Sequence, residues 1–153
     1  MKKYGYSEDY DAITNIDVDA GLRVSVGSFA NYKKALFAGL KSIRGKLPII
    51  FSMIDYKEYD GFVTIAGTLS RICKSIGAGA IAADIDTLQV YALNGNAAVL
   101  ETELPKLGRE LEKLLTDLEE LLRIMDRMEK GGEIGIFDRS PLHSFLKENY
   151  KAI

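Results

Sequence analysis

A run of leucines between residues 100 and 128 constrains the fold of this chain more than any other sequence feature. Its apolar side chains recur in steps of four and three residues, which is the spacing of one face of an α-helix. Charged side chains fill most of the positions between them. The pattern predicts a long amphipathic helix with a buried stripe formed by Leu100, Leu104, Leu107, Leu111, Leu114, Leu118, Leu121, Met125 and Met128.

Three more apolar stripes with helical spacing precede this one. The first predicts another long helix through Leu36, Leu40, Ile43, Leu47, Ile50 and Ile54. The other two are shorter and contain Phe62, Ala66, Leu69, Cys73 and Ile76, and then Ile81, Ile85, Leu88 and Ala92. Amphipathic helices bury their stripes most simply against one another. We therefore predict an all-α fold, an antiparallel four-helix bundle with a short N-terminal helix and a C-terminal extension.

Short connections separate the stripes and favour antiparallel neighbours. Gly77 follows the stripe that ends at Ile76 and can adopt the positive φ that often ends a helix. Residues 94–96 (Asn-Gly-Asn) form the next break. Residues 17–26 predict a brief helix, after which Ser28 is placed to cap the first long helix.

Two prolines interrupt the helical patterns. Pro48 lies inside the first long stripe and Pro105 inside the last one. A proline ring removes a backbone donor and clashes with the preceding turn of a helix. Each proline is therefore predicted to start a turn or to kink its helix.

The composition is that of one soluble domain. The chain has 153 residues and a formal net charge of -2, and we assign residues 1–15 to a polar lead-in, 16–130 to the bundle and 131–153 to a tail with a short helix. Cys73 is the single cysteine, so it forms no internal disulfide and suits a buried apolar position in a reducing compartment. With neither a secretory signal nor a membrane-length apolar run, we expect a cytoplasmic protein without membrane contact.

Charge is divided unevenly along the chain. Residues 21–54 contain six basic side chains and no acidic ones before Asp55, whereas acidic side chains prevail between Asp84 and Glu120. Such an asymmetry can steer an acidic partner to one side of the protein. An asymmetry of this kind more often reflects only solvated helix faces and ion pairs between helices.

The patterns that carry most enzyme chemistry are missing. The sequence has no nucleotide-binding glycine loop, no zinc-ligand spacing and no Glu-x-x-His pair, and His143 is its only histidine. His143 lies in a short predicted helix after Pro141, a setting more typical of a surface or packing residue than of a catalytic one. We expect no enzyme activity, no metal or cofactor, and no nucleic-acid partner.

Residues 65–78 (IAGTLSRICKSIGA) resemble the signature of the histidine-containing phosphotransfer (Hpt) family, in which His-x-Leu-Lys-Gly is followed by a helical run ending in Leu/Ile-Gly-Ala. The resemblance extends over about residues 16–128, with an acidic opening helix at 16–22, a Gly-Ser and Tyr continuation at 27–32, and an acidic-aromatic turn at 56–60. Gly67 stands where the family has its phosphoacceptor histidine. Ser70 and Arg71 stand where it has a lysine and a small residue.

The resemblance implies a scaffold that has lost its reactive group. If the stripe from Phe62 to Ile76 is buried in the core, the opposite side of its helix carries the predicted partner-binding set: Thr64, Gly67, Thr68, Ser70, Arg71 and Lys74. A phosphoaccepting imidazole has to face solvent on such a helix to reach an aspartyl phosphate. The resemblance therefore implies a pseudo-phosphotransfer protein of two-component signalling, which binds a response-regulator receiver domain or a histidine kinase without accepting phosphate.

Other interpretations are open at this stage. The chain can be a structural or self-associating helical bundle, or a true phosphotransfer protein that uses a non-standard residue. Glycine inside a helix costs about 1 kcal/mol relative to alanine, so Gly67 indicates either drift after loss of catalysis or a partner lying close to the helix. The partner in the second case can also be the chain's own tail, residues 131–153.

Overall fold

The computed structural model describes residues 15–130, and within them the chain forms five helices and no strand. They are α1 (Val18–Val24), α2 (Phe29–Tyr56), α3 (Phe62–Ile76), α4 (Gly79–Leu93) and α5 (Ala97–Lys130). The all-α prediction is confirmed for this part of the chain. The predictions for residues 1–14 and 131–153, including the tail helix with His143, lie outside the described residues.

The four apolar stripes become the facing surfaces of α2 to α5. Nearly every predicted stripe residue is buried, and the exceptions, Ile54 and Ala92, pack against the core from partly exposed positions. α2 packs against α3 and α5, and α4 packs against the same two helices. Each of these four helices therefore packs against two of the others. The periodicity of the sequence therefore located the core correctly.

Side-chain caps fix where the helices begin. The Asp17 carboxylate accepts a hydrogen bond of 3.1 Å from the Ala20 N–H, and the Ser28 hydroxyl accepts one of 3.1 Å from the Asn31 N–H. Each cap satisfies a donor that has no partner inside its own helix. The prediction that Ser28 caps the first long helix is confirmed.

Two of the helices also end at the residues where the sequence predicted a break. Gly77 ends α3 with φ of 92°, and Asn94, Gly95 and Asn96 connect α4 to α5. Pro48 and Pro105, in contrast, lie inside the uninterrupted helices α2 and α5. Neither proline starts a new turn, because burial of the stripes on both sides outweighs the loss of one backbone hydrogen bond at each ring, and the alternative, a kink at either ring, stays a prediction.

The turn after α3 is tied to the start of α1. The Asp17 N–H donates to the Gly77 carbonyl oxygen at 2.8 Å, and the Tyr32 hydroxyl donates to the Ile76 carbonyl oxygen at 2.9 Å. Both bonds join α3 to segments more than forty residues away along the chain. The C-terminal end of α3 is thus held by α1 and α2 together.

Candidate functional site

Helix α3 is anchored along its whole length by one apolar face. Phe62, Ala66, Leu69, Cys73 and Ile76 are all buried to within 1% of complete exclusion from solvent. The Cys73 thiol lies in this face, and burial raises its pKa to about 12. A helix packed in this way presents its remaining side chains in fixed positions.

The opposite side of α3 carries most of the predicted partner-binding set. Thr64, Arg71 and Lys74 are exposed, and Gly67 and Thr68 are half-buried. We call these five residues, which wind along the outer side of α3, the α3 ridge. The sequence thus placed Gly67 correctly away from the centre of the core, although α4 shields one side of it.

Ser70 does not belong to this surface. Its side chain is 3% exposed, so the prediction that Ser70 flanks the exposed side of α3 is wrong, whereas its role in partner binding stays a prediction. Ser70 follows Ala66 by four residues and precedes Cys73 by three, which places it at the border of the apolar face, where α4 covers it. The helical-face argument placed Ser70 beside the exposed side of α3 because a single helix does not show where its neighbour α4 packs.

Ser70 meets an acidic side chain of α4. The Ser70 hydroxyl and, after it, the Lys74 ammonium lower the pKa of the half-exposed Asp86 carboxyl. Lys74 Nζ lies 3.3 Å from Asp86 Oδ2. The Ser70 hydroxyl is nevertheless without a hydrogen bond of standard geometry in the described part of the chain, so its contact with Asp86 is a loose one.

Of the two cations on the α3 ridge, Lys74 has a carboxylate partner and Arg71 does not. The charge of Lys74 is offset by Asp86, whereas Arg71 contacts a neutral group, with its Nη2 donating to Thr68 Oγ1 at 3.3 Å. Within residues 15–130 no carboxylate forms an ion pair with Arg71. Arg71 is therefore the cation of this ridge that an acidic partner can reach at least cost.

Helix α4 contributes a second residue that the sequence analysis missed. The Gln89 side-chain amide crosses to α3 and donates to the Val63 carbonyl oxygen at 3.3 Å. The signal that could have located Gln89 and Asp86 is the tight connection at Gly77 and Ala78, because such a turn places residues at similar distances from it side by side on the two helices.

A side chain as small as alanine would fit at Gly67. A Cβ atom built on Gly67 would lie 3.7 Å from Arg71 Nη1 and 3.9 Å from Gln89 Nε2, which are ordinary contact distances. Elsewhere glycine is required by packing: at Gly21 a Cβ would overlap the Tyr32 ring, and at Gly108 it would lie 2.9 Å from Phe51 Cε1. The fold of the described chain therefore does not demand glycine at position 67.

The described residues hold no cluster of metal ligands and no helix that could cross a membrane. No group of three or more His, Cys, Asp or Glu side chains in residues 15–130 is placed to hold a metal ion. None of the five helices combines the length and apolar character that crossing a bilayer requires. Comparison of the chain with protein-family models, curated proteins and solved structures finds no match to any of them.

Proposed function

We propose that the chain is a pseudo-phosphotransfer protein that binds a receiver domain or a histidine kinase without accepting phosphate. The carrying observation is that α3, the helix with the Hpt-like residues, is fixed by a buried face while it turns Thr64, Gly67 and Arg71 outward. A receiver that docks on this ridge meets backbone at residue 67 instead of an imidazole.

The packing of the helices supports an antiparallel four-helix bundle of the Hpt type. Lys33 pairs with Asp126 and Glu129, and Lys57 pairs with Glu101, so α2 and α5 run in opposite directions. A Cβ at Gly39 would lie 3.3 Å from Ile76 Cγ2, and one at Gly61 would lie 3.1 Å from Met53 Cε. α2 and α3 therefore also run in opposite directions, with α1 added at one end.

The chemistry of the ridge favours binding over transfer. Its side chains are two threonines, one arginine and one lysine around Gly67. A threonine hydroxyl becomes an effective nucleophile only beside a general base. The nearest carboxylate on α4 is Asp86, which is paired with Lys74 and has a lowered pKa, so it is a weak base.

Charge gives the docking a direction. Arg71 is exposed and unpaired with any carboxylate of residues 15–130, so the outer side of α3 presents a positive charge that is not offset. A cationic surface of this kind accelerates and orients association with an acidic partner. The single buried cysteine is consistent with our proposal that this association occurs in the cytoplasm.

Titration against purified receiver domains tests the proposal. We expect wild-type chain to bind at least one receiver, and Arg71→Glu to weaken that complex at least tenfold because it reverses a charge at the contact. Arg109→Glu is the matched control, because Arg109 is exposed on α5, which packs against α2 and α4 and lies across the bundle from α3. Equal weakening by both variants, or no binding to any receiver or kinase, contradicts the proposal.

One observation favours a self-associating bundle as the second candidate. Val90 and Leu93 lie three residues apart on α4 and are 56% and 65% exposed. Apolar side chains in such positions mark contact surfaces more often when they are grouped than when they stand singly. Sedimentation equilibrium decides between the two, since a dimer that Val90→Asp converts to monomer supports the second candidate and a stable monomer removes it.

A further inference from the structure

Helix α2 carries a second periodic set of residues on the side that faces away from the core. These residues have no charged side chains and recur in alternating steps of four and three: Ala38, Ser42, Gly45, Ile49, Ser52 and Tyr56. We call them the α2 seam. This alternation is the spacing with which one helix contacts another in a coiled coil. At a rise of about 1.5 Å per residue, the α2 seam is about 27 Å long.

The other helices of the described chain leave the α2 seam largely uncovered. Ile49 and Tyr56 are 46% and 74% exposed, although both have large apolar groups. An open groove of about 390 Å³ runs beside them, between Pro48 and Glu58. α2 packs against α1, α3 and α5 through its other sides. Grouped apolar side chains that remain exposed beside a groove mark a contact surface.

The two halves of the α2 seam complement each other in size. Its N-terminal half has only small residues, whereas its C-terminal half contains Ile49 and Tyr56. If two seams meet antiparallel about a twofold axis near Pro48, Ile49 lies opposite Gly45 of the second copy and Tyr56 lies opposite Ala38. Large residues opposite small ones let two helices approach closely. A parallel arrangement would instead place each residue opposite itself.

Gly45 has no explanation within the single chain. A Cβ atom at this position would have nothing within 4 Å, so packing does not require glycine. Glycine is also among the least favourable residues inside a helix. In the antiparallel arrangement the missing side chain leaves room for Ile49 of the second copy.

The charges that flank the α2 seam complement each other about the same axis. Lys41 and Asp55 lie on one flank, each seven residues from Pro48, and both are exposed. Lys41 Nζ is 6.0 Å from the Phe37 ring centroid, and neither charge forms an ion pair within residues 15–130. The twofold axis brings Lys41 of each copy beside Asp55 of the other. Flanking charges of this kind set the orientation of paired helices.

We propose that the α2 seam binds a second copy of this chain in an antiparallel, twofold-symmetric dimer, with Ile49 over Gly45 and Lys41 paired with Asp55 across the interface. A twofold interface requires a surface that is complementary to itself, and the α2 seam meets this requirement in both size and charge. The inference is independent of the proposed function, which concerns α3.

The dimer is expected to dissociate on dilution. A single pair of helices about 27 Å long forms an interface at the small end of those that proteins use for specific association. Lys46 lies on the other flank, close to the axis, where its ammonium is bonded to Ser42 Oγ of its own helix at 3.1 Å. The two Lys46 charges repel each other across the axis and weaken the dimer further.

Sedimentation equilibrium of the full chain over a range of concentrations tests the inference. We expect a monomer–dimer equilibrium, which Ile49→Asp weakens at least tenfold because it places a carboxylate inside the interface. Val90→Asp is the matched control, since Val90 is a similarly exposed apolar residue on α4, and it should leave the dissociation constant unchanged. A chain that stays monomeric at every concentration, or that Val90→Asp weakens as much as Ile49→Asp, overturns the inference.

A charge exchange tests the antiparallel register. Lys41→Asp and Asp55→Lys should each weaken the dimer about fivefold or more, because two ion pairs become two contacts between like charges. The double variant restores both pairs with their signs exchanged, so its affinity should return to within about twofold of wild type. Circular dichroism of each variant checks that the fold is retained. A double variant no tighter than the single ones contradicts the register.

The glycine is tested by a variant with opposite effects on the monomer and the dimer. Gly45→Leu should raise the melting temperature of the dilute, monomeric chain, because leucine favours the helix and projects into open space. It should weaken the dimer at least tenfold, because its side chain takes the position of Ile49 of the second copy. Undiminished dimerisation of Gly45→Leu refutes the proposed contact.

Discussion

The Tyr32 hydroxyl donates a hydrogen bond to the Ile76 carbonyl oxygen across 2.9 Å, and both residues are fully buried. It thereby satisfies a carbonyl in the last turn of α3 that the helix itself leaves without a partner. The same ring packs over Gly21 of α1. One tyrosine thus connects α1, α2 and the end of the candidate site helix.

Removing this hydroxyl should destabilise the protein measurably. We expect Tyr32→Phe to lower the free energy of unfolding by about 1–3 kcal/mol, because the Ile76 carbonyl stays buried without its donor. Urea denaturation followed by circular dichroism measures the change. Tyr91→Phe on α4, where the side chain is 38% exposed, is the control and should cost much less. Equal effects of the two changes would contradict the assigned bond.

The glycine that ends α3 should not tolerate a side chain. Gly77 has φ of 92°, and a Cβ there would overlap the carbonyl oxygen of Asp17. We expect Gly77→Ala to lose more than about 2 kcal/mol, from left-handed strain and from separation of α1 from the turn. Gly79→Ala, with nothing within 4 Å of its Cβ position, should be neutral. A melting temperature of Gly77→Ala equal to that of wild type would contradict the packing described.

The Cys73 thiol should report unfolding. Burial raises its pKa to about 12, so at pH 8 only about one thiol in ten thousand is ionised in the folded protein. We expect no reaction with a disulfide reagent in native buffer over minutes, and one thiol per chain in concentrated guanidinium chloride. Stoichiometric labelling of the native protein on the same time scale would show that α3 is not held as described.

Asp86 should titrate below the ordinary range of aspartate. The Ser70 hydroxyl and the Lys74 ammonium lower its pKa, so Ser70→Ala and Lys74→Gln should each move it upward. Because the folded pKa is the depressed one, the stabilisation from ionised Asp86 is present above about pH 4 and is lost as pH falls through the folded value. Carboxyl ¹³C chemical shifts follow the titration. An unchanged midpoint in both variants would refute these contacts.

Introducing the residues that the Hpt signature has at these positions should test the proposed docking surface directly. A Cβ fits at Gly67 and its nearest neighbour is the Arg71 side chain, so we expect Gly67→His with Arg71→Gly to accept label from a phosphorylated receiver that binds the wild-type chain. Adding Ser70→Lys should instead lower stability, because it places an ammonium at the buried α3–α4 border. Absence of label on the double variant, with the fold retained, would contradict an intact docking geometry.

The sequence predicted the core well because burial follows periodicity. The stripe from Leu100 to Met128 is buried at every position, and the turn at Gly77 has the predicted left-handed conformation. Neither Pro48 nor Pro105 starts the turn that was one of its two predicted outcomes, because a local breaker rule cannot weigh the apolar contacts that long helices make on either side of a ring.

The sequence predicted the residues of the candidate site that lie on α3 but not those that α4 contributes. Thr64, Arg71 and Lys74 follow from the helical face alone, whereas Ser70 sits at a border whose burial depends on where α4 packs. Gln89 and Asp86 reach the ridge from α4, so their roles depend on the register between two helices. Register arises from many contacts together, and no pattern within α3 encodes it.

The bond between Asp17 and Gly77 has a consequence for recognition kinetics. A helix end that frays must first become ordered before a partner can settle against it, which slows productive encounters and weakens the complex. The last turn of α3 is clamped from outside by Asp17, so Lys74 and Arg71 are presented on a surface that is already ordered. Association with a rigid surface of this kind is limited by diffusion and orientation, not by refolding.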